Sequence, residues 1–138
     1  MVVINSRAKL IEDFRIVVDN GGAHSVCLDL PPEMGKDTGP TALELAVMGF
    51  SGCAATIFNL MAKKMRVSIG DLEVRVKAEK PEDADTVTKA DVEIVVKTGE
   101  SEEKINRVWK KTRENCPVGI LFEQAGVQID YKLRSVKD

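Results

Sequence analysis

The chain has 138 residues, of which 43% are hydrophobic and 30% are charged, and its formal net charge is -2. This size and composition are typical of a globular protein with its own core, and we expect a single domain over residues 1–138. The near-neutral charge gives no electrostatic footprint for nucleic acid or an anionic membrane, and four Phe, one Tyr and one Trp are too few for a base-stacking platform.

Alternation of apolar and polar residues predicts three strands in the first part of the chain. The predicted strands cover residues 2–11, 13–18 and 24–30. A glycine pair at residues 21–22 supplies the positive φ angles of a tight turn between the last two. In the second strand Phe14 and Ile16 are expected to point inward, which places Arg15 on the opposite face. A Pro- and Gly-rich loop over residues 31–40 follows.

A long helix is predicted to begin at Pro40 and Thr41, with Thr41 as N-cap and Glu44 three residues later in a capping box. Residues 45–62 carry no charge and reach the length of a membrane span. Glycine and polar residues dilute this run, however, and amphipathic segments flank it, so we predict a buried core helix and no membrane. One helix face holds only small groups, namely Ala46, Gly49, Gly52, Cys53 and Thr56. Because a glycine inside a helix costs about 1 kcal/mol, this face predicts the close approach of another backbone.

The second half of the chain predicts a hairpin, two helices and a final strand. The elements are strands over 71–80 and 86–98, a helix from Ser101 that stops at 115–117, a short helix from Pro117 that Gly126 terminates, and a strand over 127–134. The order β-β-β-α-β-β-α-α-β, with sequential hairpins instead of βαβ crossovers, predicts an α+β fold. In this fold the long helix packs against antiparallel sheets.

Three cysteines are candidates for chemistry. They are odd in number and far apart, and no CxxC pair or secretory signal is evident, so we expect a reducing, cytoplasmic setting. Cys116 precedes Pro117 and falls at a helix N-cap, where a thiol pKa is lowered; a structural cysteine that ends a helix is the alternative. Cys53 alone is explained by core packing, and Glu44 alone by its cap. Cys27 is interpreted as incidental.

His24 is the only histidine, which removes most hydrolytic and metal mechanisms. Together with the three cysteines it could form a zinc site with three thiolates and one histidine. Zinc ligands usually come in close pairs, however, and two of these four are isolated. We expect no cofactor, and a zinc-stabilised structural protein is the least favoured alternative.

Two segments resemble the OsmC/Ohr family. Residues 39–80, beginning GPTALELAVMGFSGC, combine a Pro- and Glu-containing helix start, Gly-x-x-x-Cys, a Lys-rich end and a strand. Residues 114–133, ENCPVGILFEQAGVQIDYKL, place Cys-Pro before a short apolar helix and a final strand. Both segments occur in the family's order, and the plan of strands and helices matches over essentially the whole chain. The resemblance implies an intertwined homodimer with paired sites at its interface and thiol peroxidase chemistry, mainly on organic hydroperoxides.

The resemblance also implies roles for the two cysteines. Cys53 would be the peroxidatic thiol, which a hydroperoxide oxidises to a sulfenic acid. Cys116 would be the resolving thiol, which condenses with that sulfenic acid to a disulfide. An external dithiol would then reduce the disulfide.

A guanidinium that holds the thiolate, and a carboxylate that holds the guanidinium, complete the chemistry that the resemblance implies. In the peroxidase members the glutamate sits one residue earlier, where this chain has Leu43, so Glu44 is the candidate. Residues 31–40 contain no arginine, so Arg15 is assigned that role, with Arg7 as the other available residue. The one-residue shift of the glutamate relative to the cysteine favours an OsmC-like branch separate from the well-studied peroxidases. The rival interpretation is a non-enzymatic dimer of the same fold that binds a lipid-like molecule or senses redox state.

Overall fold

The computed structural model describes all residues from Met1 to Asp138. The elements are β1 (Arg7–Glu12), β2 (Arg15–Asp19), β3 (Ser25–Leu28), α1 (Ala42–Lys64), β4 (Leu72–Glu79), β5 (Lys89–Lys97), α2 (Glu102–Asn115), α3 (Pro117–Gln124) and β6 (Gln128–Val136). The predicted order of elements and the α+β class are confirmed. By its internal contacts the chain divides into an N-terminal unit, residues 1–46, and a C-terminal unit, residues 47–138.

The N-terminal unit contains an antiparallel sheet of order β1-β2-β3. Its first strand begins at residue 7 and not at residue 2 as predicted, because Arg7 pairs with Asp19 at the end of β2 and earlier residues have no partner. Phe14 was predicted to point inward from the second strand. It lies instead in the β1–β2 turn, next to Asp13 at φ 50°, and is 49% exposed.

Helix α1 starts as predicted. The backbone N–H of Thr41 donates to Glu44 Oε1 at 3.0 Å, and the backbone N–H of Glu44 donates to Thr41 Oγ1 at 3.1 Å, which confirms the capping box. By length and composition α1 could cross a membrane. Four residues at every fourth position are buried in the protein, namely Phe50, Ala54, Phe58 and Ala62, so one face of α1 belongs to the core. The prediction of a buried helix holds for this face only, because 22% of the apolar window is buried.

The C-terminal unit contains a sheet of order β4-β5-β6. The predicted hairpin is present, with Leu72 of β4 opposite Val96 of β5 in an antiparallel pair. The prediction of a wholly antiparallel sheet is wrong, because β6 runs parallel to β5, with Lys89 opposite Gln128. Two helices separate β5 from β6, and such a long connection returns the chain to the same end of the sheet, as a parallel pair requires.

The core of the C-terminal unit forms between this sheet and the helices. Its fully buried side chains come from α1, β5 and α2, and the largest are Phe50, Phe58, Ile94, Ile105, Val92, Val96 and Val108. The elements that carry Cys53 and Cys116 are therefore anchored in one continuous apolar core.

The end of α3 is as predicted, because Gly126 follows the helix with φ 89°.

Candidate functional site

Local sequence explains where Cys116 sits. It lies between α2 and α3 with extended backbone angles, φ -88° and ψ 99°, and Pro117 occupies the first turn of α3. A residue before proline is excluded from the helical conformation, so α2 must end there and the chain must turn. The predicted N-cap position of Cys116 is thus confirmed.

The fold brings Cys116 to Cys53, which lies in the middle of α1. The thiol of Cys116 donates to Cys53 Sγ at a sulfur–sulfur distance of 3.3 Å, and neither cysteine is in a disulfide. A disulfide bond is about 2.05 Å long, so the two sulfurs need to approach by only about 1.3 Å to bond. The two thiols are within reach of each other although 63 positions separate them in the chain.

Burial controls the ionisation of Cys116, which is only 4% exposed. Desolvation raises the pKa of the Cys116 thiol to about 11, outweighing an opposite influence of the Gly119 backbone N–H, and the neighbouring Cys53 raises the pKa further. The backbone N–H groups of Val118 and Gly119 at the start of α3 lower the pKa, as predicted for a helix N-terminus, but desolvation outweighs them. The prediction that the position favours the thiolate is therefore wrong, and Cys116 keeps its proton at neutral pH.

Apolar groups surround the thiol pair. Phe50, one turn before Cys53 in α1, is buried and packs on Phe122 of α3 with ring centroids 4.9 Å apart. Gly119 of α3 is buried beside Cys116. The close backbone approach predicted for the small-residue face of α1 is not made within the chain, because the space beside Gly49 and Gly52 is open.

Glu44 is engaged in the cap of α1. Its Oε1 accepts the Thr41 N–H, and this hydrogen bond is the main reason that the pKa of Glu44 is lowered. Glu44 and Arg15 form no ion pair in the structure; Arg15 instead lies 4.0 Å from a carboxylate oxygen of Glu12. The carboxylate–guanidinium pair implied by the resemblance is not assembled.

A hydrogen-bond network that the sequence did not reveal fixes Arg15 within the N-terminal unit. Arg15 Nε donates to Thr38 Oγ1 at 3.2 Å, and that hydroxyl donates to Asp29 Oδ2 at 2.6 Å. Asp29 is only 4% exposed, and the Thr38 hydroxyl is the main cause that lowers its pKa to about 2. Its carboxylate also accepts the backbone N–H groups of Thr38 and Leu30, at 3.1 and 2.8 Å. The only feature of the sequence that could have indicated this network is Asp29 at the end of a predicted strand, and its position does not identify Thr38 as its hydrogen-bond partner.

The remaining candidates take no part in the thiol pair. Arg7 forms an exposed ion pair with Asp19 at 3.0 Å. The sulfur of Cys27 lies 3.8 Å from the Leu28 carbonyl oxygen and 3.9 Å from the Thr38 hydroxyl. No three His, Cys, Asp or Glu side chains converge as a metal site, so the zinc alternative that included His24 draws no support from the structure.

Comparison with known proteins identifies a family match and a shared fold. The model of the family described as OsmC-like protein matches residues 35–132. An OsmC like protein from Mycoplasma pneumoniae superposes with TM-score 0.83 at 18% identity, over 99% of this chain and 97% of that one. A hypothetical protein from Aquifex aeolicus VF5 gives 0.85 at 14% identity, over 100% and 99% of the two chains. An organic hydroperoxide resistance protein from Elizabethkingia anophelis gives 0.75 at 16% identity, over 99% and 98%. Among proteins of curated function, none matches.

Proposed function

Since this chain belongs to the OsmC-like protein family, we propose that it is a thiol-dependent peroxidase that reduces organic hydroperoxides in the cytoplasm during oxidative stress. The observation that carries this function is the 3.3 Å distance between the sulfurs of Cys53 and Cys116. Two free thiols from distant segments that meet at this distance are arranged for disulfide chemistry. The name of the Elizabethkingia protein, an organic hydroperoxide resistance protein, supports the substrate class.

In the first step Cys53 acts as the nucleophile. Its thiolate attacks one oxygen of the hydroperoxide, the O–O bond breaks, and the alkoxide leaves and takes a proton to become an alcohol. Cys53 is thereby oxidised to a sulfenic acid. Burial and protonation favour Cys53 over Cys116 for this role, because Cys53 is partly exposed whereas Cys116 is almost fully buried and keeps its proton.

In the second step Cys116 resolves the sulfenic acid. Its sulfur attacks the Cys53 sulfur, the S–S bond forms and the S–O bond breaks, and the thiol proton of Cys116 leaves with the hydroxyl group as water. An external dithiol then reduces the disulfide by exchange and is itself oxidised by two electrons. The half-buried ring of Phe122, which packs on Phe50 one turn from Cys53, suits a hydroperoxide with an organic substituent.

Arg15 and Glu44 are proposed to support the thiolate and the leaving oxygen. The hydrogen bond to Thr38 holds Arg15 through Nε, and Nη1 lies 4.0 Å from a carboxylate oxygen of Glu12, which leaves Nη2 for the proposed role. Glu44 uses Oε1 in the cap, so holding a guanidinium would use its other oxygen. We expect Arg15→Lys to lower kcat/KM for a hydroperoxide at least tenfold, because a lysine cannot form the bidentate contacts of a guanidinium.

A homodimer is the proposed assembly. Several large apolar side chains of β1, of the β1–β2 turn and of α1 are exposed in the single chain, including Leu10, Ile11, Phe14, Leu43 and Met48. Soluble proteins rarely leave large contiguous apolar surfaces uncovered, and a second copy of the chain would cover them. Sedimentation equilibrium measures the assembly directly, and a monomer at micromolar concentration would contradict it.

The decisive experiment follows cumene hydroperoxide consumption in the presence and in the absence of dithiothreitol. With dithiothreitol the wild type is expected to turn over and Cys53→Ser to consume no peroxide beyond the protein-free blank. Without dithiothreitol, Cys116→Ser is expected to consume one equivalent of peroxide and stop at the sulfenic acid, whereas the wild type goes on to the disulfide. Cys27→Ser is the matched control and is expected to retain wild-type turnover. If the wild type consumes peroxide no faster than Cys53→Ser, the peroxidase function is wrong.

A redox sensor is the second candidate, and one observation favours it. Arg15 and Glu44 form no ion pair in the structure, so the electrostatic support of a fast peroxidase is not in place. A sensor would form the Cys53–Cys116 disulfide slowly, so that even with dithiol supplied it would consume peroxide little faster than the protein-free blank. The same peroxide assay, run with substoichiometric protein, separates the two functions.

A further inference from the structure

Gly119 fills a narrow space between the resolving thiol and the aromatic core. A Cβ atom at this position would lie 3.2 Å from Phe50 Cε1 and 3.3 Å from Cys116 Sγ. Carbon atoms at optimal separation are about 3.5–4.0 Å apart, so a side chain would displace one neighbour. Gly119 does not have a positive φ. Space and not backbone conformation therefore distinguishes glycine here from alanine.

The two neighbours of Gly119 differ in how easily they can move. Phe50 is 1% exposed and packs on Phe122, so its ring has no free volume to enter. The Cys116 thiol turns about a single side-chain bond, and its only side-chain partner is Cys53. An added methyl group at residue 119 would therefore displace the sulfur of Cys116 more readily than the ring of Phe50.

We propose that Gly119 is a positioning residue for the resolving thiol. Its missing side chain lets Cys116 Sγ occupy the place from which it reaches Cys53. This role rests on the proposed function for its chemical step, in which the Cys53 sulfenic acid and the Cys116 thiol give a disulfide and water. The S–S bond forms, the S–O bond breaks, and the thiol proton leaves with the hydroxyl group. Because the attacking sulfur must align with the breaking S–O bond, a displacement of a few tenths of an ångström slows this step.

The test is Gly119→Ala in the intact protein. Stopped-flow mixing with cumene hydroperoxide is expected to give Cys53 sulfenic acid at the wild-type rate, within about twofold. Disulfide closure is expected to slow about tenfold, so that a 1,3-diketone probe traps more sulfenic acid. Gly99→Ala is the matched control, because no atom lies within 4 Å of a Cβ built there, and it is expected to close at the wild-type rate. Closure of Gly119→Ala at the wild-type rate would overturn the role of Gly119.

A rescue variant separates positioning from general stability. Phe50→Leu in the Gly119→Ala background removes the ring atom that the new methyl group meets, and is expected to bring the closure rate back to within about threefold of wild type. A merely structural role predicts the opposite pattern, in which the double variant is less stable and closes no faster. If Gly119→Ala alone fails to fold, as judged by far-UV circular dichroism, closure in the double variant decides the question.

A buffer of oxidised and reduced dithiothreitol distinguishes failure of this inference from failure of the proposed function, because it forms the Cys53–Cys116 disulfide without peroxide. If the wild type consumes no peroxide but Gly119→Ala closes more slowly in this buffer, the peroxidase function fails and the role of Gly119 stands. If Gly119→Ala matches the wild type in this buffer, the role of Gly119 fails whatever the peroxide assay gives. If the wild-type protein forms no disulfide with either oxidant, both fail.

Discussion

The two units of this chain are stabilised in different ways. The C-terminal unit buries large apolar side chains between a mixed sheet and three helical segments, and Phe58 and Ile94 are completely enclosed. In the N-terminal unit every residue of β1 is exposed, and Leu10 is 63% exposed. The C-terminal unit therefore completes its own core, whereas in the N-terminal sheet the apolar side chains of β1 are exposed and those of β2 are only half-buried.

The chemistry follows the same division. In the N-terminal unit a hydrogen-bond network from buried Asp29 through Thr38 holds Arg15. In the C-terminal unit the apolar core surrounds two thiols and keeps Cys116 protonated. The polar network of the N-terminal unit orients a charged guanidinium, whereas the apolar environment of the C-terminal unit keeps a thiol uncharged.

The largest expected effect is the loss of stability when the closed core is opened. Phe58→Ala, in the C-terminal unit, is expected to lower the free energy of unfolding by about 3–5 kcal/mol, because it removes a fully buried ring and leaves a cavity. Phe14→Ala, in the N-terminal unit, is its counterpart and is expected to cost less than about 1 kcal/mol at concentrations where the protein is monomeric. Urea denaturation measures both, and equal losses would contradict the division into a closed and an open unit.

The second effect concerns the protonation of Cys116. With a pKa of about 11 against a reference of 9.0, its thiolate fraction near pH 8 is expected to be about a hundredfold below that of an unperturbed thiol. Iodoacetamide alkylation of the Cys27→Ser/Cys53→Ser variant should therefore be slow at pH 8, should rise about tenfold per pH unit and should level off only near pH 11. Because the folded-state pKa is raised, the associated stability is present below pH 9 and is lost as the pH rises through 11. Rapid alkylation at pH 8 would show that burial does not control this thiol.

The third effect tests what covers the N-terminal sheet. Leu10→Glu introduces a charge on an exposed apolar residue and is expected to weaken self-association at least tenfold while far-UV circular dichroism stays unchanged. Val136→Glu, at an exposed apolar position at the end of β6, is the matched control. Sedimentation velocity over a dilution series measures both variants. A dimer of unchanged affinity in Leu10→Glu would show that this face is not the interface.

The fourth effect tests the polar network. Because the Thr38 hydroxyl and backbone N–H groups lower the pKa of Asp29 to about 2, the charged form stabilises the fold above about pH 4, and this contribution is lost as the pH falls toward 2. The Tm of Asp29→Asn is expected to lie below that of the wild type at pH 7 and to converge with it toward pH 2. A difference in Tm that stays constant across this range would show that the substitution acts through side-chain packing and hydrogen bonding, and not through the charge of Asp29.

The smallest effect is at the end of α1. Arg66 has φ 56°, and the Val67 N–H donates to the Ala62 carbonyl at 2.9 Å, as in a helix C-cap that favours glycine. Arg66→Gly is expected to raise the free energy of unfolding by about 0.5–1 kcal/mol. Asp37→Gly, at φ 53° in the N-terminal loop, is expected to give less, since aspartate tolerates this conformation better than arginine. Thermal unfolding compares them, and destabilisation by Arg66→Gly would contradict the assignment.

Features set by neighbours in the chain were predictable. The cap of α1 needed only Thr41 and Glu44, three residues apart, and the break between α2 and α3 needed only Cys116 and Pro117. The hydrophobic alternation also predicted the β4–β5 hairpin, because its two strands are consecutive and only the loop over residues 80–88 separates them. The direction of β6 was missed because two helices intervene and its alternation is the same in a parallel or an antiparallel pair.

The candidate site divides along the same line. The sequence by itself determined that Cys116 ends one helix and caps another, that Glu44 caps α1, and that Cys53 lies within an apolar helix, because dihedral restrictions and helix periodicity act over a few residues. Only the tertiary structure decided that the two sulfurs lie 3.3 Å apart, that Asp29 rather than Glu44 anchors the network of Arg15, and that the pKa of Cys116 is raised. Burial and distance between remote residues depend on how the whole core closes, and desolvation there outweighs the local helix field that the sequence made visible.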